Sequence, residues 1–118
     1  MTKFESRSTI AEHLDRGLGL IAEGTFFEAH EELELAWRAA PPEERDFYQG
    51  LVHVAVAWYQ AGRRNRVGCE RQLEKAERRL APYAPGHEGV DLESVLEEVR
   101  AAAALVRGGS LDLPPVRI

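Results

Sequence analysis

The sequence predicts an all-α fold: a compact bundle of about five helices around a central hydrophobic third helix, with an extended C-terminal tail. Apolar residues recur at three- and four-residue spacing in five successive segments. Glycine or proline punctuates the chain between those segments. No stretch shows the strict alternation of a half-buried strand. The helices are expected at about 8–23, 25–40, 42–62, 65–81 and 91–107, with the tail at 108–118.

In the first helix, Ser6 or Ser8 is placed to cap a stripe of Ile10, Leu14, Leu18 and Ile21. Gly17 and Gly19 each cost a helix up to about 1 kcal/mol against alanine. Either the helix bends there or a neighbour comes close enough to need the space. Gly24 ends the helix. Thr25-Phe-Phe-Glu28 has the spacing of a capping box for the second helix. The buried face of that helix reads Phe26, Ala29, His30, Leu33, Ala36 and Trp37.

Pro41-Pro42 stops the second helix and starts the third, where Glu43, Glu44 and Asp46 suit the positive end of the helix dipole. The third helix is apolar over most of its circumference, with Phe47, Leu51, Val54, Ala55 and Trp58 on one stripe and Val52, Val56 and Tyr59 on another. That pattern marks the central helix. Asn65 caps the fourth, whose inward stripe is Val67, Cys69, Leu73, Ala76 and Leu80. After a loop rich in proline and glycine, Asp91 caps the fifth, and Gly108-Gly109 closes it. In the tail, Pro114-Pro115 forbids helix, while Leu111, Leu113, Val116 and Ile118 suit an extended clasp over the bundle; a disordered tail is the alternative.

The 118 residues are the length of one domain, residues 1–118. A net charge of −5 and only a short basic run, Arg63, Arg64 and Arg66, argue against nucleic acid. One cysteine excludes an internal disulfide and a cysteine-rich zinc site. The N-terminal residues lack a signal peptide's apolar segment, and no apolar run has the length of a membrane span. A cytoplasmic protein with no membrane association is the simplest expectation.

Chemistry, if present, concentrates on His30-Glu-Glu-Leu-Glu34. In the metalloprotease pattern H-E-x-x-H, two histidines one turn apart bind zinc and the first glutamate is the general base. Here Glu34 stands in the second position, and His and Glu are both legitimate zinc ligands. That pattern makes His30, Glu34 and, from the next helix, His53 a candidate metal set, with Glu31 and His30 as catalytic candidates. The competing reading is a neutral core histidine hydrogen-bonded to Glu34. Asp46, Gln49, His53 and Gln60 form a polar strip on the third helix, where a bridge from Gln49 or His53 to a glutamate of the second helix would satisfy them. If the two strips face each other, His30, Glu34, Trp37, Gln49, His53 and Tyr59 line a cleft. Glu28 belongs to the cap of that network. His13 and His87 are expected in solvent, and Cys69 as a small core hydrophobe.

The block Gly24-Thr-Phe-Phe-Glu-Ala-His-Glu-Glu-Leu-Glu-Leu-Ala-Trp-Arg38, a proline-bearing turn and Asp46-Phe-Tyr-Gln-Gly-Leu-Val-His-Val-Ala55 resemble the small prokaryotic family catalogued as domain of unknown function 309. Asn65-Arg-Val-Gly68 and the stripe from Leu73 to Leu80 also fit its pattern. The resemblance covers about residues 14–100 and implies a compact multi-helical domain with no established activity. It points to Glu28, His30, Glu31, Glu34, Trp37, Gln49 and Gly50. His53 departs from the pattern, which weakens it as a ligand. The resulting expectation is a helical interaction or structural module with a protein partner or a second copy of itself. No cofactor is expected on that reading. The alternative is a hydrolase-like enzyme, metal-dependent or acid–base, built on His30, Glu31 and Glu34.

Overall fold

A computed structural model describes the backbone of residues 3–118 and the side chains from Thr9 onward. Five helices follow in order: α1 (Lys3–Ala22), α2 (Phe26–Ala39), α3 (Arg45–Gly62), α4 (Arg66–Leu80) and α5 (Leu92–Arg107). Each packs mainly on its neighbours in sequence, so the bundle is a meander with α3 between α2 and α4. It extends 48 × 25 × 20 Å. Single 3-10 turns at Pro42–Glu44 and Ala81–Tyr83 lead into and out of the α3–α4 pair.

The third helix is the buried one. Phe47, Leu51, Val54, Ala55 and Ala57 have no solvent exposure, and Trp58 is nearly covered. One continuous core joins them to Ile21, Leu33, Leu73, Leu80, Leu92, Val99 and Val106 from the other four helices. Two glycines set how closely the helices approach. A Cβ on Gly17 would sit 2.6 Å from Leu33 side-chain carbons, and one on Gly50 would sit 2.6 Å from Leu80. Gly17 is therefore a packing residue for α2; the space around Gly19 is open.

Helix starts divide by chemistry. Asn65 Oδ1 accepts from the Gly68 backbone N–H at 3.0 Å, and Asp91 Oδ1 accepts from that of Ser94 at 3.1 Å. Thr25 precedes α2, but its hydroxyl makes no cap bond, so the expected capping box with Glu28 does not form. The chain enters α2 instead through Gly24, whose φ of +79° suits glycine. The first helix is already helical at Lys3, five residues before its expected start. The hydroxyls of Ser6 and Ser8 lie outside the described side chains.

Residues 82–91 are more than a loop. Gly86–His87 (β1) and Val90–Asp91 (β2) pair antiparallel around a Glu88-Gly89 turn. Both turn residues have positive φ, +50° and +77°, as a tight two-residue hairpin requires. Two-residue strands are too short to show alternation, so this hairpin leaves no periodic signal.

The tail is docked. Trp58 Nε1 donates to the Pro114 carbonyl at 2.8 Å, Val116 is buried, and the Arg117 N–H reaches the Glu98 carboxylate at 3.1 Å. Residues 111–118 thus bridge α3 and α5 as an extended clasp. No helix among the described residues is long and apolar enough to cross a membrane.

Candidate functional site

Antiparallel packing of α2 on α3 opens a cavity of about 200 Å³ where the start of α2 meets the end of α3. Phe26, Phe27, His30, Val56, Tyr59 and Gln60 line it. The 3.6-residue repeat makes this arrangement. Phe26 and His30 fall one turn apart on α2, and Val56, Tyr59 and Gln60 fall one turn apart on α3. The walls are aromatic. The Phe27 ring centroid lies 5.4 Å from that of His30 and 5.6 Å from that of Tyr59. Phe27 is nevertheless 46% exposed, a large apolar residue left at the rim. Arg63 lies over the Tyr59 ring, 5.6 Å from its centroid.

His30 is held through one ring nitrogen. Its Nδ1 donates to the Phe27 carbonyl at 3.0 Å, so the neutral ring carries its proton there. Nε2 then faces Glu34 Oε1 at 3.6 Å, and Glu34 also meets Arg38 at 3.7 Å. The pair sits at a half-buried edge, with His30 24% and Glu34 32% exposed. Its two ligand atoms lie on one side of a helix.

The other expected residues do not gather around it. His53 turns to α4, where Nδ1 donates to Gln72 Oε1 at 2.6 Å. Packed between α2 and α4, α3 gives His53 a partner on α4 in place of the expected glutamate on α2. Burial, chiefly, with Arg79, Lys75 and Arg78 nearby, holds its imidazole below the usual range against the raising effect of the Gln72 bond. The set His30, Glu34 and His53 is therefore split between two helix interfaces. Glu31 and Glu28 are exposed and outside the cavity wall. Trp37 is half-buried against the core and Gln49 half-buried on α3; neither lines the cavity. Tyr59 does, so of the six residues expected to form a cleft only His30 and Tyr59 share one.

The remaining histidines are not solvated as the sequence suggests. His13 Nδ1 donates to Glu32 Oε2 at 2.7 Å, tying α1 to α2. His87 Nε2 donates to Glu44 Oε1 at 3.0 Å, and its ring packs against Phe47 at 4.6 Å and Tyr83 at 4.9 Å. Among the described residues, the His and carboxylate atoms that converge in a group of three belong to Glu44, His87 and Glu88. No local spacing announces contacts across 43 residues. Phe26, Phe27, Val56 and Gln60 were also missed as cavity residues, although Phe26 already stood on the buried face of α2 and Val56 and Gln60 on two stripes of α3. Cys69 is fully buried, and burial with the Glu70 carboxylate pushes its thiol up, which leaves it unreactive.

Comparison with known proteins adds no activity. The chain is 32% identical to the uncharacterized protein YpuF of Bacillus subtilis (strain 168) in an alignment of 89 residues, covering 67% of this chain and 51% of that protein. It thus spans about half the length of that relative. No solved structure matches the chain. The family model described as Domain of unknown function (DUF309) matches residues 14–72, which run from α1 through the whole α2–α3 hairpin into α4, and the chain belongs to that family.

Proposed function

We propose that this chain is a small cytoplasmic, non-enzymatic helical module. It binds a protein partner in the α2–α3 cavity, through an apolar anchor flanked by basic residues. The observation that carries this reading is Phe27, 46% exposed at the rim of an aromatic-walled cavity. Large apolar side chains left at a concave rim are typical of sites that complete their burial on binding. Glu28 and Glu31 are exposed on the same helix and supply the complementary charge for a cationic flank. A buried, unreactive Cys69 suits a reducing compartment.

An indole ring is a fitting probe for a cavity of this size. Titrating tryptamine into isotope-labelled protein should shift resonances of Phe27, His30, Val56 and Tyr59, and indole-3-acetate should bind more weakly. Filling the cavity with Val56→Trp should abolish both. Shifts elsewhere, or none at saturating tryptamine, would sink the reading. Light scattering over a concentration series decides whether a second copy is the partner: mass that rises with concentration and drops in Phe27→Ala identifies self-association.

A second reading rests on the His30–Glu34 pair alone, as an acid–base or metal-binding dyad of a hydrolase-like enzyme. Elemental analysis of untagged protein, alongside His30→Gln, tests it. Stoichiometric divalent metal lost in the variant is the outcome it requires.

A further inference from the structure

A second group of side chains, at the opposite end of α3, has the composition of a metal centre. Glu44 lies on the 3-10 turn that leads into α3, His87 on β1, and Glu88 in the hairpin turn. One ligand atom from each lies within 4.8 Å of the other two. We propose that Glu44, His87 and Glu88 bind one first-row divalent transition ion, of the zinc or manganese class.

Three features support this beyond the grouping itself. First, the imidazole is aimed. Phe47 and Tyr83 hold the His87 ring at centroid distances of 4.6 and 4.9 Å, which directs Nε2 at Glu44 Oε1, 3.0 Å away. Two ligands at about 2.1 Å from one ion are about 3.0 Å apart in octahedral and about 3.4 Å apart in tetrahedral geometry, so the pair need open by only a few tenths of an ångström to hold an ion. Second, there is room for the ion's remaining ligands. Glu44 and Glu88 both line a cleft of about 400 Å³ with Ile10, Ala11, Pro41 and Tyr48, enough for bound waters. Third, the donor set discriminates. One imidazole with two carboxylates suits zinc, manganese or iron(II), whereas magnesium and calcium prefer all-oxygen sites.

The two carboxylates also lie close to the largely covered Tyr48 phenol. Burial, then the charges of Glu88 and Glu44, push that phenol above its usual range. Glu44 lies within the family match and His87 and Glu88 beyond it.

The test uses the full chain stripped with EDTA and titrated with Zn²⁺ and with Mn²⁺ by calorimetry, with histidine ring ¹⁵N spectra recorded in parallel. One equivalent should bind, Tm should rise, and the His87 signals should move while those of His30 stay. Glu88→Gln, an exposed change that leaves the fold intact, should weaken binding by more than about tenfold, the loss that even outer-shell changes cause. Glu44→Gln should do the same. A hundredfold excess of Mg²⁺ should not displace the ion. No saturable binding, binding indifferent to both substitutions, or movement of His30 in place of His87 would overturn the proposal.

Discussion

His53 on α3 donates from Nδ1 to Gln72 Oε1 on α4 across 2.6 Å, and its Nε2 is buried with no partner. Protonating that nitrogen would bury an N–H without an acceptor, next to Arg79, Lys75 and Arg78. The folded state therefore favours the neutral ring, and its pKa lies below the unfolded value of 6.5. Between those two values the unfolded chain binds more protons than the folded one, so stability rises with pH there. This contribution is complete above 6.5 and is lost as pH falls through it towards the folded value. In urea titrations from pH 8 to pH 5, His53→Gln should lose stability less steeply than the parent chain. Parallel curves would contradict the assignment.

The glycines of α1 make a paired prediction of opposite sign. Gly17→Ala drives a methyl to 2.6 Å from Leu33, and overpacking of that kind costs about 1–3 kcal/mol. Gly19→Ala meets open space and should stabilise by up to about 1 kcal/mol through helix propensity alone. Gly50→Ala, opposite Leu80, should behave like Gly17→Ala. Chemical denaturation of the three variants distinguishes packing glycines from tolerated ones.

Caps should follow the hydrogen bonds rather than the motif. Asn65→Ala and Asp91→Ala each remove a side-chain acceptor for a helix N–H and should cost about 1 kcal/mol. Thr25→Ala removes no such bond and should change stability by less than about 0.5 kcal/mol. Equal losses at Thr25 and Asn65 in thermal melts would show a capping hydroxyl at Thr25 after all.

The clasp is measurable through its tryptophan. Trp58→Phe deletes the donor to the Pro114 carbonyl and should cost about 1 kcal/mol. Removing residues 111–118 also uncovers the site of Val116, a side chain whose burial is worth about 1.5–3 kcal/mol. The truncated chain should melt earlier and its Trp58 emission should shift to the red. Unchanged emission would mean that the tail leaves Trp58 in solution.

Five amphipathic segments were legible because each one repeats its apolar residues with the helical period and ends at glycine or proline, and those signals are local. The same local chemistry announced Asn65 and Asp91 as caps, and the apolar girth of α3 announced its central place. The candidate site was legible only in part. His30 and Tyr59 share a wall, but His53 does not, since a residue on the flank of a helix packed on both sides can turn to either neighbour. Periodicity reports that a residue is near an interface and is silent on which one.

By itself, then, the order of residues determined the helices, the central position of α3 and the membership of Glu34 and His30 in one helical face, because all of these depend on contacts within four or five residues. Tertiary structure alone decided that His53 joins α4, that Gly17 serves Leu33 while Gly19 serves nothing, and that Glu44 meets His87 and Glu88. Those outcomes depend on helix rotation and crossing, which many weak packing contacts set together and no short stretch of chain encodes.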